Sequence, residues 1–404
     1  MTEAFIVATA RSPIGRARKG SLAGVRPDDL AARMVDAALD AVPGLDPSRI
    51  DDLLVGCGQP AGEQGFNIAR IVAVLLGWDT VPGTTVNRYC SSSLQTTRMA
   101  FHAIKAGEGD IFVSAGVESV SRYGAGASDL PGAVNPLFAP ALERTAARSL
   151  SGAPAWTDPR TDGALPDPYI AMGQTAENAA QLHGVTREEQ DAFAARSQQR
   201  AEAAIASGFW SRDITPVTLA DGTVVTVDDG PRPGVTVESL AGLEPVFRPD
   251  GTVTAGNCCP LNDGAAAVVV VSERVVDELG LQPLARIVST GVSGLSPEVM
   301  GLGPVEASRR ALSLAGLSID DIDLVEINEA FAAQVIPSAR ELGIDPERLN
   351  VHGGAIAVGH PFGMTGARIT STLINGLSAT GGRYGLETMC VGGGQGMAMV
   401  LERV

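Results

Sequence analysis

The chain has 404 residues, a formal net charge of −16 and 45% hydrophobic residues, which suits a globular protein with a large buried core. That charge argues against general affinity for nucleic acid or anionic membrane, and no apolar run reaches the about 18–20 residues a bilayer requires. Five cysteines, without a basic and then apolar N-terminal leader, point to a reducing compartment, so the expected location is cytoplasmic.

Strand and helix signals alternate over residues 1–120. Residues 4–8 and 52–55 read as buried strands, and 27–42 as a helix with Pro27 in its first turn. A β-prone run at Thr84, Thr85 and Val86 hands over to a helix across 92–106, with Cys90 at the corner. A strand follows over 111–115, which makes the patterning α/β. Segment 121–250 differs, being rich in Pro, Gly and Asp, with one strong helical stretch at 187–207 whose Glu188 and Glu189 suit the helix dipole. It reads as a ligand-covering insertion.

The first pattern then returns. A helix over 305–315 leads into S-I-D-D-I-D-L-V-E-I-N, echoing the earlier S-R-I-D-D-L-L-V-G. Ile319 matches Ile50, and nearly the same displacement carries Cys90 to His360. A helix over 366–377 and a strand over 387–390 running into glycines complete the repeat. The expected organisation is one half from 1–120 plus 251–275, an insertion over 121–250, and a second half over 276–404.

Four positions carry chemistry when taken together: Cys90, Asn328, His360 and Cys390. Singly, a cysteine is most often a small buried hydrophobe. A thiol at a helix N-terminus, however, sits at the positive end of the dipole, which lowers its pKa toward the nucleophilic thiolate. The glycines after Cys390 let backbone N–H donors approach a ligand closely, the usual construction of an oxyanion hole. His360, between Gly359 and Pro361, is a candidate base held in a stiff turn. No Cys-x-x-Cys or His-x-x-x-His spacing occurs, so no metal is expected. Neither glycine-rich phosphate signature is present, so dinucleotide and ATP chemistry lack support.

The segments N-R-Y-C-S-S-S-L-Q, D-P-Y-I-A-M-G-Q-T-A-E-N, T-A-G-N-C-C-P-L-N-D-G-A-A-A, E-I-N-E-A-F, N-V-H-G-G-A-I-A-V-G-H-P-F-G and M-C-V-G-G-G resemble the thiolase family along nearly the whole chain. The resemblance implies a layered αβαβα fold of two duplicated halves with an inserted loop domain. It implies an acyltransferase of fatty acid metabolism, cleaving 3-ketoacyl-CoA with coenzyme A or running the reverse Claisen condensation. Cys90 would accept the acyl group, His360 would take its proton, and Cys390 would move a proton at the acetyl-CoA α-carbon. Asn328 would hold a water completing one oxyanion hole with His360, and the N–H groups of Cys90 and Gly392 would form the other. Met172, Arg232, Phe247, Ala255, Cys259, Ala330 and Phe331 would lie along coenzyme A. Coenzyme A and acyl-CoA would be substrates, with no permanently bound cofactor, and the assembly would be a homodimer or homotetramer.

Four residues depart from the family pattern. Ser93 replaces a usual glycine and is expected to narrow the acyl pocket. Cys259 replaces a serine that contacts the pantetheine arm, weakening that hydrogen bond. His352 stands where asparagine is common and reads as a residue backing His360. Ala171 stands where short-chain biosynthetic members carry histidine, which leans toward broader or longer substrates. Two other readings compete: a decarboxylating ketosynthase, which needs a second catalytic histidine, and a non-catalytic acyl-CoA or lipid carrier, which would lack one of the two thiols.

Overall fold

The computed structural model describes residues 2–123 and 132–404, so part of the 121–250 segment lies outside the described residues. Strands β1 (Ala4–Arg11), β2 (Asp52–Cys57), β3 (Gly83–Val86), β4 (Ile111–Ser119), β5 (Asn262–Ser272), β6 (Ala285–Gly294), β7 (Leu324–Ile327), β8 (Tyr384–Val391) and β9 (Gln395–Arg403) share one sheet, in the order β7-β8-β9-β6-β1-β5-β4-β2-β3. The larger helices are α1 (Pro27–Asp40), α2 (Ile68–Leu75), α3 (Ser92–Ala106), α4 (Met172–His183), α5 (Arg187–Ala206), α6 (Gly303–Ala315), α7 (Ala332–Leu342) and α8 (Thr365–Thr380).

The repeat is visible in the strand pairings. Outward from β1, the pairs β1–β5 and β5–β4 are antiparallel, and β4–β2 and β2–β3 are parallel. Outward from β6, β6–β9 and β9–β8 are antiparallel and β8–β7 is parallel, followed by a parallel bridge between Val325 and Leu349. The halves join where Phe5 and Ile6 of β1 meet Arg286 and Ala285 of β6.

Layering follows from the period-two geometry of a strand, which sends successive side chains to opposite faces. In β5, Ala265, Ala267, Val269 and Val271 pack with α1 and α2, while Ala266, Val268 and Val270 pack with α3 and α8. In β9, Met397, Met399 and Leu401 also face α3 and α8, while Ala398 and Val400 face α6 and α7. Helices α3 and α8 therefore form a central layer between two half-sheets, with α1 and α2 outside one and α6 and α7 outside the other. The contact between the central helices is at backbone distance: a Cβ on Gly366 would lie 2.2 Å from Leu94 N.

The inserted segment is tied to this frame. Arg11 of β1 is fully buried and donates to Asp213 at 2.7 Å and Asp228 at 2.6 Å. Helix α5 starts at a Thr186–Glu189 capping box and lies against the second half, where Ser197 Oγ donates to Glu329 Oε2 at 2.6 Å. The sequence reading found α5 and missed α4. Gly173 in the first turn of α4 weakens its helical signal, and it is glycine because the Phe247 ring lies 2.3 Å from where a Cβ would be. Among the described residues no helix is long and apolar enough to cross a membrane, and all five cysteines are free.

Candidate active site

Cys90 occupies a single 3₁₀ turn, Tyr89–Ser91, between β3 and α3. The turn is strained, because Tyr89 has φ +44° although it is not glycine. Local hydrogen bonds hold it. Asn87 Oδ1 accepts from Tyr89 N at 2.8 Å, and Ser92 Oγ accepts from Arg88 N at 2.9 Å while donating to Tyr89 O at 2.6 Å. Ser91 Oγ donates to Arg88 O at 3.1 Å. The serines after the thiol thus stitch the corner that presents it.

Cys390 is the penultimate residue of β8, which runs into Gly392–Gly394. Cys390 lies near enough to Cys90 for that thiol to raise its pKa, and the N–H groups of Cys90 and Gly392 both favour the Cys90 thiolate. Arg88 donates to Gln395 Oε1 at 2.9 Å, and Gln395 Nε2 donates to Gly392 O at 3.3 Å, which fixes the Gly392 loop against the Cys90 turn.

His360 is buried before α8. Its backbone N donates to Asn262 Oδ1 at 2.9 Å. Its Nδ1 lies 2.7 Å from Thr365 Oγ1, whose single hydrogen goes to Pro361 O at 2.7 Å. The hydroxyl therefore accepts from Nδ1–H, and Nε2 is left as the basic nitrogen. Asn328 Nδ2 donates to that Nε2 at 3.2 Å, and Asn328 Oδ1 is buried and unpartnered.

The ionisation of this group differs from the sequence expectation. Burial, and then the Glu118 carboxylate, push the Cys90 thiol up to about 12, outweighing the two N–H donors that favour the thiolate. Burial, and then Arg368, push His360 down to about 3. Cys390 is pushed up by burial and then by Cys90. At neutral pH the resting site holds neutral thiols beside a neutral imidazole. Burial of the sulfur opposes the helix-corner argument for a resting thiolate and outweighs the two N–H donors at the turn. Iodoacetamide alkylation of Cys90, followed by mass spectrometry, should be slow at neutrality and still rising above pH 9; a plateau near pH 7 would contradict a protonated resting sulfur.

The description "Thiolase, N-terminal domain" matches residues 4–274, and "Thiolase, C-terminal domain" matches residues 281–403. This chain belongs to the thiolase family. It is 45% identical to the 3-ketoacyl-CoA thiolase of Bacillus subtilis strain 168 and 45% identical to the beta-ketoadipyl-CoA thiolase of Escherichia coli, with 100% of each chain covered. The solved Bacillus anthracis acetyl-CoA acetyltransferase is similar at a TM-score of 0.87 and 39% identity, covering 100% of this chain and 99% of that one.

The positions that the sequence resemblance expects along coenzyme A fall into two groups. Met172, Phe247, Cys259, Ala330 and Phe331 share one apolar cluster with Cys390, where the Phe247 and Phe331 rings stand 6.1 Å apart edge to face. Arg232 and Ala255 line a neighbouring cleft with Arg16 and Cys258. An apolar wall near the thiols and arginines farther out suit a thioester arm ending in phosphate.

Two of the departures behave differently from the sequence reading. Ser93 does not narrow an acyl pocket: it is fully buried, and its Oγ accepts from Ala367 N at 2.9 Å, joining α3 to α8. His352 does not back His360, because its ring stacks on Phe209 at 3.5 Å and borders Gly376, far along α8 from the His360 end. Ala171 is exposed at the N-cap of α4, beside Met172. Cys259 lies close enough to Cys90 and Cys390 for their charges to bear on it.

The sequence reading missed Glu118, the buried carboxylate at the end of β4. Its signal was present: one acidic residue closing the otherwise uncharged run I-F-V-S-A-G-V-E. Burial pushes Glu118 up to about 7 against the pull of four hydrogen-bond donors.

Proposed function

We propose that the chain catalyses CoA-dependent thiolysis of 3-ketoacyl-CoA, or the reverse Claisen condensation, through an acyl group on Cys90. The observation that carries this reading is the pairing of two thiols, Cys90 and Cys390, with Gly392 N–H directed at Cys90 Sγ. In the cleavage direction, Cys90 Sγ bonds to the C3 carbonyl carbon as its proton passes to His360 Nε2. The alkoxide forms where the Cys90 and Gly392 N–H groups can reach it. The C2–C3 bond breaks, leaving the acyl thioester on Cys90 and the enolate of acetyl-CoA. Cys390 protonates C2, and Asn328 with His360 stabilises the enolate oxygen, with Asn328 Oδ1 free to hold a water. Incoming coenzyme A gives its thiol proton back to Cys390, its sulfur attacks the acyl carbon, and Cys90 recovers its proton from His360. Two moderate barriers replace one high one.

A neutral thiol–imidazole pair suits this sequence, because the proton leaves sulfur only as the electrophile arrives. The ketosynthase reading is disfavoured by His352, which stacks on Phe209 away from His360. The carrier reading is disfavoured because both thiols are present. The segment 121–250 is read as the domain that covers coenzyme A, and the compartment as cytoplasmic. The measurement that tests the reading is kcat/KM for CoA-dependent cleavage across a 3-ketoacyl-CoA chain-length series. Binding without cleavage at any length would refute it, and a preference for longer chains would agree with Ala171.

The same reading includes a homo-oligomer. Strand β3 ends the sheet and pairs only with β2 among the described residues. Beside it, Asn67 Nδ2 donates to Gly83 O at 2.7 Å, and the preceding Phe66 is 94% exposed with φ +53°. A strained, exposed phenylalanine next to an open strand edge is a surface that a second copy would cover. Phe66→Asp is expected to shift the protein toward monomer in light scattering coupled to gel filtration. An unchanged mass would remove this surface from the interface.

A further inference from the structure

Glu118 has no part in the chemistry above, yet it is fully buried and no lysine or arginine pairs with it among the interactions described. Its carboxylate instead receives four N–H donors. Oε2 accepts from Gly58 N at 2.8 Å and Gly363 N at 2.9 Å. Oε1 accepts from Gln59 N at 3.1 Å and from the Gln64 side-chain amide. Donors on both oxygens leave no place for a carboxyl proton, so the four hydrogen bonds favour the ionised form while burial opposes it.

The donors come from two halves of the chain. Gly58, Gln59 and Gln64 belong to the loop after β2, while Gly363 belongs to the loop that carries His360. Neither glycine could carry a side chain at this close approach. A Cβ on Gly363 would lie 2.3 Å from Val117 O, and one on Gly58 would lie 2.7 Å from Glu118 Oε2 and 2.9 Å from Phe362 Cβ. Phe362, in turn, packs edge-on against the His360 ring at 5.3 Å. One carboxylate therefore clamps the His360 loop to the first half and lies close enough to Cys90 for its charge to be felt there.

We propose that Glu118 is a positioning residue: it holds the His360 loop in register with the Cys90 turn. This deepens the thiolase reading and rests on it. The other titratable groups that bear on the pair are Cys57, whose Sγ lies 3.9 Å from Oε1, and Cys259 and Cys390 on the far side of Cys90. Arg368 acts on His360.

The test uses the full chain with Glu118→Gln and Glu118→Asp, each checked for fold by circular dichroism. The amide of Glu118→Gln removes the charge and sets an NH2 group against N–H donors. Its Cys90 alkylation profile should move to lower pH by about one unit, and kcat should fall by about 10²-fold with KM for CoA little changed. Glu118→Asp keeps the charge but shortens the clamp, so kcat should fall while the alkylation profile stays in place. If the Gln variant does not fold, the Asp variant decides alone, and wild-type kcat in it refutes the clamp. A folded Glu118→Gln protein with an unmoved alkylation profile and wild-type kcat overturns the whole proposal. Because alkylation needs no turnover, a wild-type chain inactive toward 3-ketoacyl-CoA would defeat the proposed function while the placement of Glu118 beside the Cys90 turn was still decided.

Discussion

Cys90→Ser is expected to lower kcat for acetoacetyl-CoA cleavage by at least about 10³-fold, leaving the Kd for acetyl-CoA within about twofold. The base is the reason. His360 is held down to about 3 by burial and Arg368, so it removes a proton only from a group whose conjugate base is stabilised as it forms. A thiolate forming under the Cys90 and Gly392 N–H groups meets that condition, whereas an alkoxide is far more basic and does not. Serine fits the turn sterically and the remaining corner contacts are unchanged, so a large loss reflects the nucleophile and not the fold. Peptide mass spectrometry supplies an independent readout: the wild-type chain should carry an acetyl group on the residue 90 peptide after exposure to acetyl-CoA, and the serine variant should not. Undiminished cleavage by the variant would discard residue 90 as the acyl acceptor.

Cys390→Ala is expected to separate the two half-reactions. Acetyl transfer from acetyl-CoA to Cys90 uses Cys390 only to protonate the departing CoA thiolate, a weakly basic leaving group that water can also protonate, so acyl-enzyme should still accumulate, though more slowly. Exchange of the acetyl-CoA methyl protons with D2O, and cleavage of the C2–C3 bond, should both fall by about 10²–10⁴-fold, the range for removal of a general acid–base group. The Cys390 thiol is fully buried, and burial followed by the neighbouring Cys90 raises its pKa. That makes it a proton donor to a carbanion and, once deprotonated, a strong base toward the α-carbon. A variant that exchanges α-protons at the wild-type rate would reassign the acid–base role, with Cys259 the nearest other thiol to examine.

Much of the frame could be read directly. The helix expected over 92–106 coincides with Ser92–Ala106, because its apolar spacing is regular and Gly107, with φ +78°, ends it. The second-half strand was read too short, as 387–390 against Tyr384–Val391, because Gly385 breaks the strand signal after Tyr384. Helix α4 escaped because its first turn contains a glycine required by a ring from residue 247, a constraint from outside the helix. Ser93 and His352 were misplaced for a related reason: both were read against neighbours in sequence, while their contacts are Ala367 on α8 and Phe209 in the insertion.

By itself, the sequence determined which groups are available: two thiols, an imidazole, an amide and a glycine loop, each at the end of an element whose period could be recognised. Side-chain chemistry and strand or helix period are local properties, so they survive translation from sequence without coordinates. The tertiary structure alone decided the protonation state of those groups and the partner that holds them. Ionisation depends on how much water is removed and on which charge stands nearby, and here burial outweighs the N–H donors at the corner while Glu118 of β4 adds to it. Those are three-dimensional sums over many atoms, and they raise the pKa of a thiol that a helix corner alone would lower.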